Sequence, residues 1–198
     1  MAKAKGFVAA YRGFEVEDKS IHHMACLWQS AEDLKNFQSS PEYKEFDSRV
    51  KAVQAGPGNT VRVKFVGDPE KPFRCLTTEV VTGRPRSGKN FDDLIEATQG
   101  VFSALKGAPG YYPSPTYGEV VGRPATYYII LGWHTPEDHK NPVTGSGQGK
   151  DAVAKFTDVV EHSIAHVHLD MCQIRALGNS RLKVDSMPLY TVNRWETR

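Results

Sequence analysis

LWQSAED, residues 27–33, returns as GWHTPED, residues 132–138. Trp28 and Trp133 stand 105 positions apart, and each is followed by a hydroxyl residue and then a Glu-Asp pair. Ser30 and Thr135 suit a helix N-cap, because a side-chain oxygen there accepts one of the orphan N–H groups of the first turn. An acid follows each three residues on (Asp33, Asp138), and Pro136 occupies the first helical position, where its missing N–H costs nothing. The two copies therefore predict two helices that begin in the same way. Read backwards, the repeat continues. Gly13 falls on Gly118, Val16 on Val121 and, after a one-residue slip, Gly6 on Gly110. Each copy is a glycine, an apolar or aromatic run, a second glycine, an acidic turn, and a second apolar run that ends in Trp. That order describes a hairpin feeding a helix.

The strands of the first hairpin are FVAAYRGFEVED (7–18) and SIHHMACLW (20–28); those of the second are YYPSPTYGEVVG (111–122) and ATYYIILGW (125–133). Beyond the cap, Leu34, Phe37, Tyr43, Phe46, Val50 and Val53 keep helical spacing, with a break and a second cap at Ser40-Pro41. TVRVKFV (60–66) alternates as a strand. In the second copy NPVTGSGQGK (141–150) reads as a loop interrupting a helix that DAVAKFTDVVEHS (151–163) resumes, and AHVHLDMCQI (165–174) alternates as a strand. FRCLTTEVV (73–81) reads as a strand and NFDDLIEATQGVFSALKG (90–107) as an amphipathic helix ending at glycine. Residues 73–174 thus spell β-α-β-β-α-β. The first copy, residues 6–66, has only the last four of those elements. The expected division is 1–70 for an incomplete first half, 71–178 for a complete second half, and 179–198 for a tail.

Composition narrows the partners. The chain has 198 residues, 39% hydrophobic and 24% charged, with 25 basic against 23 acidic residues. A net charge of +2, scattered instead of clustered, gives little field for nucleic acid or an anionic membrane. No stretch approaches transmembrane length, and Tyr11 and Arg12 interrupt the N-terminal apolar run before it makes a signal-peptide core. Three cysteines without a C-x-x-C pair predict reduced thiols and a cytoplasmic location. GRPRSGK (83–89) matches a phosphate-loop spacing, but Asn90 stands where the Mg²⁺-binding hydroxyl belongs, so it reads as a basic turn.

A β-α-β-β-α-β unit whose third strand ends in W-x-[ST]-x-E-D, with S-P-E-Y in a following helix, resembles the dimeric α+β barrel superfamily. It is most similar to the antibiotic-biosynthesis-monooxygenase branch and its tandem fungal relatives. The resemblance implies an α+β chain of tandem ferredoxin-like units whose antiparallel sheets curl face to face into a barrel around a pocket. It also leaves the first strand and helix of the first unit missing. LKVDSMPLYTVNRW (182–195) alternates well enough to supply a replacement edge strand.

Within that frame the polar faces of strands become candidate pocket linings. In AHVHLDMC, Val167, Leu169 and Met171 fall on one face and His166, His168, Asp170 and Cys172 on the other; in TVRVKF, Val61, Val63 and Phe65 oppose Thr60, Arg62 and Lys64. The apolar faces are expected under helices. His22 and His23 match Tyr127 and Tyr128, and alternation allows one member of each pair to face inward. Candidate acid–base groups are therefore His22, His23, His166, His168 and Tyr128, since a positioned His or Tyr moves a proton on a carbonyl or enol oxygen. Trp28, Tyr127, Trp133 and Cys172 are candidate substrate contacts, although both tryptophans recur for packing reasons first. His166 and His168 point the same way and offer two imidazoles to an ion, with a third ligand needed from His22 or His23; no metal is assigned. His134, His139 and His162 read as surface residues.

Three functions fit. The first, implied by the resemblance, is a cofactor-independent tailoring enzyme (cyclase, pericyclase, dehydratase or anthrone-type monooxygenase) acting on a small apolar polyketide- or terpenoid-like substrate. The second is a haem- or metal-dependent barrel enzyme. The third is a non-catalytic stress-response or ligand-binding protein. The barrel closes either within one chain or in a homodimer.

Overall fold

The computed structural model describes residues 3–144, 148–174 and 189–197. In chain order the elements are β1 (Phe7–Phe14), β2 (Ile21–Trp28), α1 (Ala31–Gln38), α2 (Pro41–Val53), β3 (Asn59–Val66), α3 (Glu70–Phe73), β4 (Thr77–Pro85), α4 (Phe91–Ala104), β5 (Tyr111–Val120), β6 (Tyr127–Trp133), α5 (Pro136–Thr144), α6 (Gln148–Val159), β7 (Val160–Val167), β8 (Asp170–Ile174) and β9 (Leu189–Glu196). All pairings are antiparallel, in the order β7-β4-β6-β5-β3-β9-β2-β1-β8. The two edges, β7 and β8, are consecutive in the chain and separated only by His168 and Leu169. Taken as one bent strand they close the sheet into a barrel. A bridge between Glu15 and Val167 and the hydrogen bond from Val16 N–H to the His166 carbonyl (2.7 Å) hold that seam.

The order explains how an incomplete first half folds. β7-β4-β6-β5 is a complete ferredoxin-like sheet, and β3-β9-β2-β1 reproduces it with β9 in the place of β4. The expected replacement strand is real over Leu189–Glu196, but it is central, paired with β2 on one side and β3 on the other, instead of an edge. Residues 182–188 of that expectation lie outside the described residues. Other boundaries shift locally. Phe73 closes the short helix α3 and β4 begins at Thr77; residues 141–144 are helical; β7 starts at Val160, so Glu161–Ser163 are strand.

The capped repeat has a common geometry. Asp33 N–H donates to Ser30 Oγ (3.1 Å), and Asp138 N–H donates to Thr135 Oγ1 (3.2 Å). Each Asp carboxylate lies against the early glycine of its own copy. Gly6 and Gly110 have φ of +73° and +72°, and a Cβ on either would fall 2.2 or 2.4 Å from the Asp33 or Asp138 carboxyl carbon. Glycine, Trp, cap and acid recur together because one knot of backbone and carboxylate needs all of them. Thr135→Ala is expected to lower stability by about 1 kcal/mol, read as a shift in the urea midpoint at unchanged slope.

The apolar side chains Val61, Val63 and Phe65 of β3 and Val167 of β7 turn into the barrel, which corrects the expectation that they pack under helices. Val61, Val63, Phe65, Leu27, Ile130 and Val167 belong to one buried cluster drawn from both halves. Phe73 of α3 plugs one end against Tyr11 (ring centroids 5.4 Å) and Tyr190 (6.1 Å). At the other end Glu15 accepts hydrogen bonds from Arg194 Nε (2.7 Å) and His23 Nε2 (2.7 Å). Side chains therefore fill the space that the resemblance assigns to a pocket, as expected for a barrel of this size. The cavities lie instead on the outer faces, between sheet and helices.

Candidate active site

Glu79 stands in the middle of β4, in register with Leu131 of β6 and His166 of β7, and its side chain leaves the barrel on the helix-covered face. Trp133 Nε1 donates to Glu79 Oε2 at 2.6 Å. The Thr135–Asp138 cap fixes where α5 begins, and this brings His139, in its first turn, down onto the sheet. His139 Nε2 lies 3.5 Å from Glu79 Oε1, and its Nδ1 lies 2.9 Å from His166 Nε2. His166 Nδ1 meets Glu17 Oε1 at 2.5 Å, and its backbone N–H donates to Glu17 Oε2. Glu79, His139 and His166 are buried, while the Glu17 side chain is half exposed.

The charge states follow from these environments. Burial pushes the Glu79 carboxyl up to about 7 and holds His139 down to about 4, with neighbouring His166 adding to the latter. Partial burial works against ionisation of Glu17, yet the hydrogen bonds from His166 leave its carboxyl below the ordinary value. An ionised Glu17 makes His166 Nδ1 a donor; in the neutral tautomer that this leaves, His166 Nε2 accepts from His139 Nδ1–H, and His139 Nε2 then turns a lone pair toward Glu79. A line of polar groups thus runs from the buried carboxyl of Glu79 to a carboxylate at the surface, hydrogen-bonded at its two outer links and with a 3.5 Å Glu79–His139 contact as the inner one.

On its other side Glu79 faces a narrow apolar cavity of about 50 Å³, walled by Val81, Phe102, Leu105, Ile129, Leu131 and Phe156. That room suits dioxygen or one or two waters. Ile164, 41% exposed, marks where the cavity meets solvent. The first half provides an internal comparison. By the 105-residue offset and the strand pairing, Thr191, Arg62 and Leu34 occupy the places of Glu79, His166 and His139. The same scaffold is therefore stable without a buried Glu-His-His set. Since burying ionisable groups costs free energy, this set beside a cavity marks a candidate site.

Among the sequence candidates the structure gathers few together. His166 and Trp133 are in the cluster. His168 is exposed and bonds the Leu76 carbonyl, so it makes no pair with His166 and the two-imidazole reading of that strand fails at the bend after Val167. His23 and Tyr128 turn into the barrel, His23 onto Glu15. His22 and Tyr127 turn outward; Tyr127 stacks on Phe91 (4.6 Å, 18°) and His22 tilts against Trp195 (4.4 Å, 39°). Trp28 packs between Phe7 and Phe37 in the first half. Cys172 is exposed on β8, with its thiol toward the Ala10 carbonyl. His139, expected at the surface, is buried. Sequence reasoning missed Glu79, Glu17 and His139. The available signals were an acid inside the apolar run TTEVV and a histidine directly after a capping Asp.

One carboxylate oxygen and one nitrogen from each of His139 and His166 all lie within 4.8 Å of one another, a donor set able to hold a divalent ion. No described helix is long and apolar enough to cross a membrane.

No family model and no curated protein matches the sequence. Solved structures do. An anthrone oxidase-like protein matches with a TM-score of 0.57 at 15% identity, covering 90% of this chain and 84% of its own. A proposed monooxygenase from Fusobacterium nucleatum subsp. nucleatum ATCC 25586 matches at 0.57 and 12% identity, covering 88% of this chain and 80% of that one. Another from Lactobacillus acidophilus NCFM matches at 0.54 and 9% identity, covering 88% and 82%. At such identities the likeness is one of architecture alone, and the chain shares its overall fold with these three proteins.

Proposed function

We propose that this protein is an oxygenase that needs no resident redox cofactor and acts on a small, largely apolar, enolisable substrate of the anthrone type. The observation that carries the reading is Glu79: a buried carboxyl with a pKa of about 7, at the floor of an apolar cavity and wired to the surface through His139, His166 and Glu17. A base poised near neutral pH is efficient at abstracting a proton from carbon next to a carbonyl. The cavity of about 50 Å³ holds dioxygen but no ring system, so in this reading α4 and α6 part to admit the substrate; the Glu79 carboxylate then takes that proton, and the carbanion gives its electron pair to dioxygen, forming a C–O bond. The O–O bond then breaks, a second proton leaves the carbon, and the net change converts a CH₂ and O₂ into C=O and H₂O. The histidine chain returns the base's proton to solvent between turnovers. The names of the fold neighbours, an anthrone oxidase-like protein and two proposed monooxygenases, agree with this chemistry.

The test is oxygen uptake with anthrone, by electrode, against buffer and heat-denatured protein, with anthraquinone measured by chromatography. Acceleration by the chelator-treated protein supports the proposal; no acceleration over buffer overturns it. The clustering of three ligand atoms favours one second reading, a divalent-metal enzyme held by Glu79, His139 and His166 with Glu17 orienting His166. That reading requires activity to vanish with chelator and return with Fe²⁺, Mn²⁺ or Zn²⁺.

A further inference from the structure

The second half carries a helix, α4, that has no counterpart in the first half among the described residues. α4 lies over β5 and β6, with Phe102 against Tyr117 (6.4 Å) and Phe91 stacked on Tyr127. β1 and β2 are the counterparts of β5 and β6, and among the described residues no helix covers them at this place. A groove of about 700 Å³ lies there, between the outer face of β1 and β2 and the side of α2. Its size is that of a site for a drug-sized molecule, far larger than the cavity beside Glu79.

The lining has a definite chemistry. Its floor is three rings in contact: Phe14 edge-on to His22 (4.9 Å, 80°) and His22 tilted on Trp195 (4.4 Å, 39°). Phe14 is 44% exposed, so an aromatic ring is left in water. Phe46 and Val50 of α2 face it across the groove. Trp195 is only 6% exposed, and among the described residues its Nε1–H has no hydrogen-bond partner, nor has Nδ1 of His22. Arg12 lines the same groove and makes no ion pair among the described residues, although Asp170 lies opposite it in strand register. Of the other rim charges, Arg49 is engaged by Glu45, and Glu42 is solvent-exposed at the start of α2. A flat aromatic body would cover the rings, and an oxyanion on it would meet the Arg12 guanidinium.

We propose that this groove binds a planar aromatic carboxylate, at a site separate from Glu79. The probe is 2-naphthoate, with 2-naphthol as its uncharged counterpart, followed by saturation-transfer NMR and isothermal calorimetry. Wild-type protein is expected to bind 2-naphthoate with a Kd of about 0.1 mM, as its atom count allows. Arg12→Gln should weaken 2-naphthoate about tenfold and leave 2-naphthol unchanged. Val53→Trp, at a 51% exposed position on the groove wall, should abolish both without disturbing the near-UV circular dichroism. Glu79→Gln should bind both normally, so the proposal survives or falls independently of the oxygenase reading. It is overturned by no saturation transfer at 1 mM ligand, roughly ten times the expected Kd, by affinity indifferent to Arg12→Gln or Val53→Trp, or by a dimer in solution that buries Phe14.

Discussion

Glu79→Gln is expected to lower turnover of an anthrone-type substrate about 10²- to 10⁴-fold, the range over which a positioned acid–base group contributes. Glutamine keeps an oxygen for the Trp133 N–H and nearly the same volume, so the loss reports proton transfer and not a collapsed site. The pH dependence adds a second readout. With the base ionising near 7, the wild-type rate should climb through neutrality and level off above it, while the residual rate of the variant stays flat across that range. Stability should move the opposite way. The folded-state pKa of Glu79 lies above its unfolded value of 4.5, so its protonated form is favoured by folding; that contribution is complete below about 4.5 and is lost as pH rises through 7. Glutamine titrates nowhere, so the stability of Glu79→Gln relative to wild type should grow between pH 5 and 8 by up to about 3 kcal/mol. His139 works from the acid side: its lowered pKa contributes stability above about 6.5 that is lost as pH falls toward 4, in both proteins alike. A pH-independent stability difference between the two proteins would show that Glu79 is already ionised in the folded state.

Gly13→Ala is expected to be the most damaging glycine-to-alanine change among the described residues. A Cβ at Gly13 would sit 1.8 Å from the His168 carbonyl oxygen, which is backbone and has nowhere to retreat without breaking the seam between β1 and the β7–β8 bend. Overpacking of a rigid contact costs up to about 3 kcal/mol, and the seam hydrogen bond from Val16 to His166 would be strained with it. The expected result is a fall in the urea midpoint together with faster hydrogen exchange at the Val16 amide. Because Glu17 lies just beyond that amide and holds His166, activity should fall too. Unchanged exchange at Val16 would mean that the barrel is not closed there.

Much of the fold was legible because it rests on local chemistry. The caps at Ser30 and Thr135, the positive-φ glycines Gly6 and Gly110 and the alternation of β3 each act within a few residues, and each predicted its own element. The repeated motif then placed two hairpin–helix units in one chain, and the unpartnered alternation of the tail marked a strand in need of a sheet. Which face of a strand points where was not legible. Period two separates His22 from His23 and Val167 from His166, but it carries no label for inside and outside. Only closure of the sheet decided that the valines of β3 enter the barrel and that His166 leaves it.

The candidate site shows the same division more sharply. The sequence by itself determined two similar sandwiches, their helix starts and the strands that build them, because caps, turns and periodicity are encoded by neighbours in the chain. Only the tertiary structure joined Glu17, Glu79, His139 and His166, which come from a hairpin turn of one half and a strand, a helix and a second strand of the other. Residues so far apart in the chain meet only through the barrel seam and the seating of α5 on its sheet. Burial by that packing, and nothing in the local sequence, raises one carboxyl to about 7 and keeps its histidine neighbour uncharged.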